Sequence, residues 1–213
     1  MREKIFFGIL AGVFISMAAV AYLVSANTVT GSVLFAFGLL TIVNYNFQLF
    51  TGVVGYISTQ QSAKEYLTYS LFTAGVWFWN LIGSLIVGLL ISYTRTYTII
   101  YPKLHALMQT KCNDSSASLL ILGIFCGILM FIAVNTYKRT EAPPVAKVVL
   151  LFACVVVFIL SGYEHCVANM GYIALYRKFD PQIIRVLLVT SCGNIIGCNA
   201  IPLCLRLAKK SVK

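Results

Sequence analysis

An apolar run from residue 145 to residue 175 encloses the polar stretch Gly162-Tyr163-Glu164-His165-Cys166-Val167-Ala168-Asn169-Met170. A straight helix across a membrane has no need of a carboxylate and an imidazole at its middle, where a charged group costs at least ~2.5 kcal/mol. Backbone that leaves the helical conformation at that depth persists only where it is buried in protein or lines a cavity. The stretch therefore predicts a broken helix with Glu164 and His165 at the break.

Apolar runs of membrane-spanning length, about 17 to 25 residues, recur between polar breaks along the whole chain. They cover residues 5–24, 33–57, 71–91, 119–134, 145–175 and 183–205. The second run is also overlong, and it contains Asn46, Gln48 and Thr51. These features predict an all-α, polytopic membrane protein with six transmembrane helices, of which helices 2 and 5 are broken at mid-membrane.

The composition excludes the soluble classes. Of the 213 residues, 60% are hydrophobic and 10% are charged, whereas soluble domains carry about 25% charged residues. The net charge of +10 comes from short basic clusters between apolar runs, which orient a membrane protein and do not indicate a nucleic-acid partner. Counting bases in alternate connections predicts both termini on the cytoplasmic side of an inner or plasma membrane. The seven cysteines lack metal-ligand spacing, so we expect no metal and no cofactor.

An internal repeat organises the chain. A shift of about 115 residues aligns four segments of the first half with four of the second. The pairs are 8–12 with 123–127, 48–51 with 164–167, 55–57 with 171–173, and 80–83 with 194–197. Because each half holds an odd number of spans, the second half enters the membrane inverted. The sequence thus predicts one transmembrane transporter domain over residues 1–213, with inverted three-helix repeats at approximately 5–91 and 119–205, which is a transport architecture.

The same segments resemble the formate/nitrite transporter family. Residues 162–170 match its fifth-helix signature, residues 49–52 match its second-helix break, and residues 193–197 match its sixth-helix motif. The resemblance implies an aquaporin-like protomer and a homo-oligomer, a pentamer, with one pore in each protomer. It also implies passage of small monovalent anions of weak acids, such as formate, nitrite or hydrosulfide, with protons as co-substrates and membrane lipid around the protein.

The resemblance further implies roles for single residues. The pore and substrate pathway would contain His165, Thr51, Lys111, Phe35, Leu39, Leu49, Phe50, Met130 and Phe158. The helix breaks would be supported by Gln48, Glu164, Asn169 and Asn194. Leu39 and Phe35 resemble the cytoplasmic hydrophobic constriction, and Phe158 with Met130 resembles the other one. Lys111 resembles the lysine of the outer vestibule.

Two positions depart from the family pattern. Gln48 stands where an acidic residue is expected, so one of the two break supports is uncharged. Gly127 stands where many relatives have an asparagine, so we expect His165 to lack one hydrogen-bond partner.

The expected mechanism follows from the dehydration of an anion in an apolar passage, which costs tens of kcal/mol for a bare carboxylate. His165, with an ordinary pKa near ~6.5, is placed to donate a hydrogen bond or a proton, so we expect proton coupling at this central histidine. Two alternatives stay open. One is an aquaporin-like channel for water or small neutral solutes, and the other is an intramembrane enzyme using Glu164 and His165 as acid and base.

Overall fold

The computed structural model describes residues 2–139, 141–178 and 180–210, and these residues form helices and no strand. In chain order the helices are α1 (Arg2–Val24), α2 (Thr28–Asn44), α3 (Phe50–Val53), a 3₁₀ helix (Val54–Thr59), α4 (Ala63–Ile91), α5 (Arg95–Asn113), α6 (Ser116–Arg139), α7 (Pro144–Leu160), α8 (Cys166–Tyr176) and α9 (Pro181–Lys210). Met1 and residues 211–213, the ends of the predicted domain, lie outside the described residues. The all-α prediction is confirmed.

Four of these helices are long and apolar enough to cross a membrane, namely Arg2–Val24, Ala63–Ile91, Ser116–Lys138 and Pro181–Ala208. Each contains one of the predicted spans. The two remaining predicted spans, 33–57 and 145–175, correspond to shorter apolar helices. The first holds most of α2 together with α3 and the 3₁₀ helix, and the second holds α7 and α8.

Helical structure is interrupted at matching points in the two halves. It stops after Asn44 and resumes at Phe50, and it stops after Leu160 and resumes at Cys166. Each interruption contains a residue in the left-handed region, Asn46 with φ 56° and Gly162 with φ 68°. Asparagine and glycine are the residues that enter this region most readily, which explains why the chain turns at these two positions.

Two helix pairs cross with their backbones in contact, α1 with α4 and α6 with α9. A Cβ atom at Gly12 would lie 2.0 Å from the carbonyl oxygen of Asn80, and one at Gly127 would lie 2.6 Å from that of Asn194. Only glycine permits such an approach. The crossings bring the side chains of the two asparagines against the backbones of α1 and α6.

Helix α5 was not among the predicted spans, because it is amphipathic. Its buried residues, Ile100, Leu104, Met108 and Lys111, recur at intervals of three or four residues and so form one face. Lys103 joins α5 to the end of α1, since its Nζ atom donates to the carbonyl oxygens of Tyr22 and Ser25 at 2.9 Å each. Burial lowers the pKa of the Lys103 ammonium.

Candidate functional site

The first interruption is held by the side chain of Asn80 on α4. Its Oδ1 atom accepts a hydrogen bond from the amide of Phe50 at 2.9 Å, and its Nδ2 atom donates to the carbonyl oxygens of Gly8 at 2.8 Å and Gln48 at 2.9 Å. The amide of Gln48 donates to the carbonyl of Phe7 at 3.2 Å. The backbone groups freed by the loss of helix thus find partners inside the protein, as their burial requires.

The second interruption is held in the same way by Asn194 on α9. Its Oδ1 atom accepts from the amide of Cys166, and its Nδ2 atom donates to the carbonyl oxygens of Gly123 and Glu164, all at 2.8 Å. The amide of Glu164 donates to the carbonyl of Leu122 at 3.2 Å. Every bond has its counterpart in the first interruption.

Thr51 and His165 join the two interruptions. The Oγ1 atom of Thr51 lies 2.9 Å from the Nε2 atom of His165, and both residues are buried. The Nδ1 atom of His165 accepts from the amide of Ala168 at 3.2 Å and thereby caps α8. Since Nδ1 is an acceptor, the neutral ring carries its proton on Nε2 and donates it to Thr51. The hydroxyl proton of Thr51 is then free to donate to a third group.

The rings of Phe35 and Phe158 are in contact, although the sequence interpretation assigned these residues to two constrictions. Their ring centroids lie 5.8 Å apart in an edge-to-face arrangement, and the Phe158 ring lies 5.9 Å from the His165 ring. Phe35 was grouped with Leu39 because the two are one turn apart on α2. One turn of helix, about 5.4 Å, is enough to place the two side chains at different levels.

The remaining predicted pathway residues are buried apolar side chains around the first interruption. Leu49 precedes α3 and Phe50 begins it, while Leu39 lies on the buried face of α2. Met130 lies on α6, one turn before Val134, whose side chain faces Gly52.

Lys111 and Glu164 form a buried ion pair. The Nζ atom of Lys111 lies 2.6 Å from both carboxylate oxygens of Glu164, and the side chains are 9% and 7% exposed. The Nδ2 atom of Asn169 donates to the same carboxylate at 2.8 Å and lies 3.3 Å from the hydroxyl of Thr190. Three of the residues predicted from sequence therefore meet in one cluster, and the lysine is neutralised there.

A cavity of about 140 Å³ opens onto this cluster and onto His165. Its wall includes Tyr22, Lys111, Phe158 and Tyr172. The sequence analysis singled out neither tyrosine, because a tyrosine in an apolar run carries no motif. It also assigned no role to Asn80. The internal alignment could have indicated one, because it places Asn80 over Asn194, which was predicted to support a helix break.

The structure shows the surroundings of the two positions, 48 and 127, that depart from the family pattern. The Gln48 side chain is half-buried and donates from Nε2 to the carbonyl oxygen of Asn46 at 3.3 Å, while its backbone makes the bonds to α1 and α4. Gly127 faces α9, where a Cβ atom would also lie 2.9 Å from the amide nitrogen of Cys198. A side chain at position 127 would begin against α9 and not against His165.

The arrangement favours the passage of a small solute over chemical conversion of one. Glu164 is engaged by Lys111 and Asn169, whereas His165 is engaged by Thr51 and Ala168, so the two do not act as a pair. Within the described ranges no group of three histidine, cysteine or acidic side chains is placed to hold a metal ion.

Comparisons with known proteins point to the same family as the sequence motifs. The sequence pattern of the formate/nitrite transporter family matches residues 1–207. The nitrite transporter NirC of Salmonella typhimurium is 35% identical over 101 residues, a region that spans 46% of this chain and only 37% of that relative's length. The formate channel FocA of Escherichia coli K12 is 30% identical over 197 residues, covering 81% of this chain and 66% of that protein.

Solved structures show the same fold. A pentameric formate channel with formate bound superposes with a TM-score of 0.84 over 100% of this chain and 98% of that one, at 24% identity. An ion channel described as a member of the FNT family gives a TM-score of 0.80 at 23% identity.

Proposed function

Because the chain belongs to the formate/nitrite transporter family, we propose that it is an integral membrane channel or transporter for small monovalent anions of weak acids. Formate, nitrite and hydrosulfide are the proposed cargoes. The family consists of transporters, so the alternative of an intramembrane enzyme is set aside. The alternative of a water channel is disfavoured because the buried groups at the two interruptions include an ion pair and an imidazole.

The proposed topology is six spans in one domain, with inverted repeats at about 5–91 and 119–205, helices 2 and 5 broken at mid-membrane, and α5 outside the spans. The matched bonds of Asn80 and Asn194 support the repeat. Both termini are proposed to be cytoplasmic. A tag on either terminus that is digested by protease from the outer side would contradict this orientation.

The observation that carries the proposal is the buried contact of Thr51 with His165, which links the two interruptions. A cargo that enters the cavity meets the Phe35 and Phe158 rings, then Thr51 and His165. The path continues past Leu39, Leu49, Phe50 and Met130 toward the other side. Apolar constrictions on both sides of one polar contact exclude hydrated ions, whereas a small anion that receives a hydrogen bond, or a proton, at that contact passes.

We propose that His165 couples the anion to a proton. The hydrogen bond from the Ala168 amide to Nδ1 favours the neutral ring, because protonation at Nδ1 would set two N–H groups against each other. An anion at the Thr51 hydroxyl favours the charged ring by direct attraction. His165 therefore takes up a proton from the aqueous side when the anion arrives. It then gives one proton to the anion and returns to the neutral ring, and the cargo leaves as the neutral acid.

Lys111 is proposed to act through its ion pair. Its ammonium is neutralised by Glu164, so the pair and Asn169 hold the wall of the cavity in shape next to His165. The amino end of α8, which starts at Cys166, adds partial positive charge at the same place.

Replacement of His165 by asparagine tests the mechanism. Asparagine is also a good helix N-cap, so the variant is expected to keep α8 folded. Uptake of labelled formate into proteoliposomes should fall at least about tenfold, since a lost hydrogen bond to a charged group costs roughly 1.5 to 3 kcal/mol. The pH dependence of uptake should also flatten between about pH 5 and 8.

The matched control is Thr51→Ser, which keeps the hydroxyl and should keep both rate and pH profile. A folded His165→Asn protein with the parent's rate and profile would remove His165 from the mechanism. Absence of uptake of formate, nitrite and hydrosulfide by the parent protein would refute the transport proposal itself.

We propose that the chain forms a homopentamer in lipid with one pathway in each protomer. The fold is that of a solved pentameric channel, and exposed apolar residues lie on several helices, for example Phe37 on α2, Leu71 on α4 and Val149 on α7. Native mass measurement in mild detergent checks the number of chains, and a mass of one chain in several detergents would contradict it.

A further inference from the structure

Three tyrosines line the cavity, Tyr22, Tyr163 and Tyr172, and none of their hydroxyl groups has a hydrogen-bond partner among the described residues. The Tyr163 ring stacks on Phe125, whereas Tyr22 and Tyr172 lie near each other. Tyr172 on α8 is 6% exposed, and Tyr22 near the end of α1 is half-buried. Their ring centroids lie 6.4 Å apart, and both side chains line the cavity beside Lys111 and His165. A buried phenol normally finds a hydrogen-bond partner, so these two are available to a molecule in the cavity.

Each of these rings lies against an ammonium group of α5. Lys103 Nζ is 4.2 Å from the centroid of Tyr22, and Lys111 Nζ is 5.8 Å from that of Tyr172. A cation at the face of an aromatic ring is attracted by the ring's quadrupole, so the two ammonium groups help to hold the tyrosine rings in place in the cavity wall.

The same ammonium groups are not free to bind the cargo themselves. Lys103 donates to the carbonyl oxygens of Tyr22 and Ser25, and Lys111 donates to both oxygens of Glu164. The donors that remain for a molecule in the cavity therefore include the two phenolic hydroxyls.

We propose that the Tyr22 and Tyr172 hydroxyls form a selection site for planar monovalent anions with two acceptor oxygens, the carboxylate or nitrite class. Each phenol donates to one oxygen of the anion.

A cavity of about 140 Å³ holds such an anion with accompanying water, since a water molecule takes about 30 Å³ in the liquid. An anion with a single acceptor atom, such as hydrosulfide, presents one point rather than two to the donors, so it gains less from two hydroxyls that come from different helices. The inference rests on the proposed transport function and adds a preference among its cargoes.

The test compares Tyr22→Phe, Tyr172→Phe and the double variant with the parent in proteoliposomes. Phenylalanine keeps the ring and removes only the hydroxyl. The half-saturating formate concentration should rise about tenfold in each single variant and further in the double, as expected for loss of a hydrogen bond to a charged group. Hydrosulfide uptake, measured in the same vesicles, should change by less than a factor of two. Tyr93→Phe, at a tyrosine that is 79% exposed, serves as the matched control and should leave both unchanged.

The outcomes separate this inference from the transport proposal. If the parent carries the anions and the phenylalanine variants keep the parent's half-saturating formate concentration, the selection site is wrong and the transport function stands. An equal loss for formate and hydrosulfide would also overturn it, because that result indicates altered packing. If the parent carries none of the anions, both proposals fall. Should the double variant not fold, the change in half-saturating formate concentration is compared with the change in hydrosulfide uptake for Tyr22→Phe alone.

Discussion

The two helix interruptions have the same backbone hydrogen bonds and different side-chain chemistry. Asn80 and Asn194 make equivalent sets of three bonds. At the first interruption the neighbouring side chain is the uncharged Gln48, which contacts only the carbonyl of Asn46 within the described residues. At the second it is Glu164, paired with Lys111. The hydrogen bonds that satisfy the backbone at an interruption therefore do not require a charged side chain. The ion pair of Glu164 with Lys111 has a different role.

The surroundings explain why the charge lies at the second interruption. There the chain continues into α8, in which every residue except Ile173 is buried, and which packs against α1, α4, α5 and α9. At the first, α3 has only four residues and passes into a 3₁₀ helix. A buried carboxylate needs a partner within reach, and α5 supplies Lys111 only to the second interruption.

The largest expected effect comes from Glu164→Gln. The change leaves Lys111 buried without a counter-ion, and breaking a buried pair from one side costs about 3 to 5 kcal/mol. The unfolding midpoint of the detergent-solubilised protein should fall accordingly. The double variant Glu164→Gln with Lys111→Met should recover much of the loss, because no unpaired charge remains.

The equivalent change at the first interruption, Gln48→Ala, serves as the comparison and should shift stability by less than about 0.5 kcal/mol. If Glu164→Gln is as stable as the parent, the ion pair is not needed to keep the second interruption folded. If the double variant is no better than the single, the loss comes from the missing hydrogen bond of Asn169 rather than from the charge of Lys111.

The next effect concerns the two asparagines. Asn80→Leu leaves the amide of Phe50 and the carbonyl of Gln48 without partners, and Asn194→Leu does the same to the amide of Cys166 and the carbonyl of Glu164. Each should cost about 2 to 4 kcal/mol, since an unsatisfied buried group costs roughly 1 to 3 kcal/mol. Unfolding in detergent should show the two losses to be equal within about 1 kcal/mol. A clear inequality would show that the two interruptions are not equivalent in their backbone.

Much of this comparison between the two interruptions could be predicted from the sequence, because it depends on the apolar runs and on the internal repeat. The length of the apolar runs located both interruptions, and the shift of the chain on itself paired Asn80 with Asn194 before any contact was known. Membrane burial enforces such patterns, since every backbone polar group must find a partner inside the protein. Membership of the formate/nitrite transporter family was likewise predicted from residues 162–170 and is confirmed.

The contacts between distant segments were not accessible in the same way. Lys111 was predicted as a vestibule charge because its partner, Glu164, is 53 residues away and on another helix. Phe35 was placed with Leu39 because one-dimensional spacing does not give the level of a side chain across the membrane. Tyr22 and Tyr172 carried no motif, and only the structure shows that they lie near each other in the cavity wall, each beside a lysine of α5.

The smallest expected effect comes from Gln48→Glu, which gives the first interruption the charge that the second has. The Gln48 side chain is half-buried, and the bonds that hold the interruption come from its backbone. Stability should therefore change by less than about 1 kcal/mol. The hydrogen bonds of Gln48 in the described part of the chain involve no lysine or arginine, so we expect the new carboxylate to stay unpaired beside Leu49 and to repel an approaching anion.

Formate uptake by Gln48→Glu should accordingly fall about threefold at low ionic strength and recover as salt is added, because the Debye length shortens from about 30 Å at 0.01 M to about 8 Å at 0.15 M. Gln48→Ala should show neither the loss nor its salt dependence. A salt-independent loss, or a fall in the unfolding midpoint as large as that of Glu164→Gln, would mean that the Gln48 side chain supports the first interruption directly. Both interruptions would then depend on the side chain at this position, and they would differ only in how strongly they depend on it.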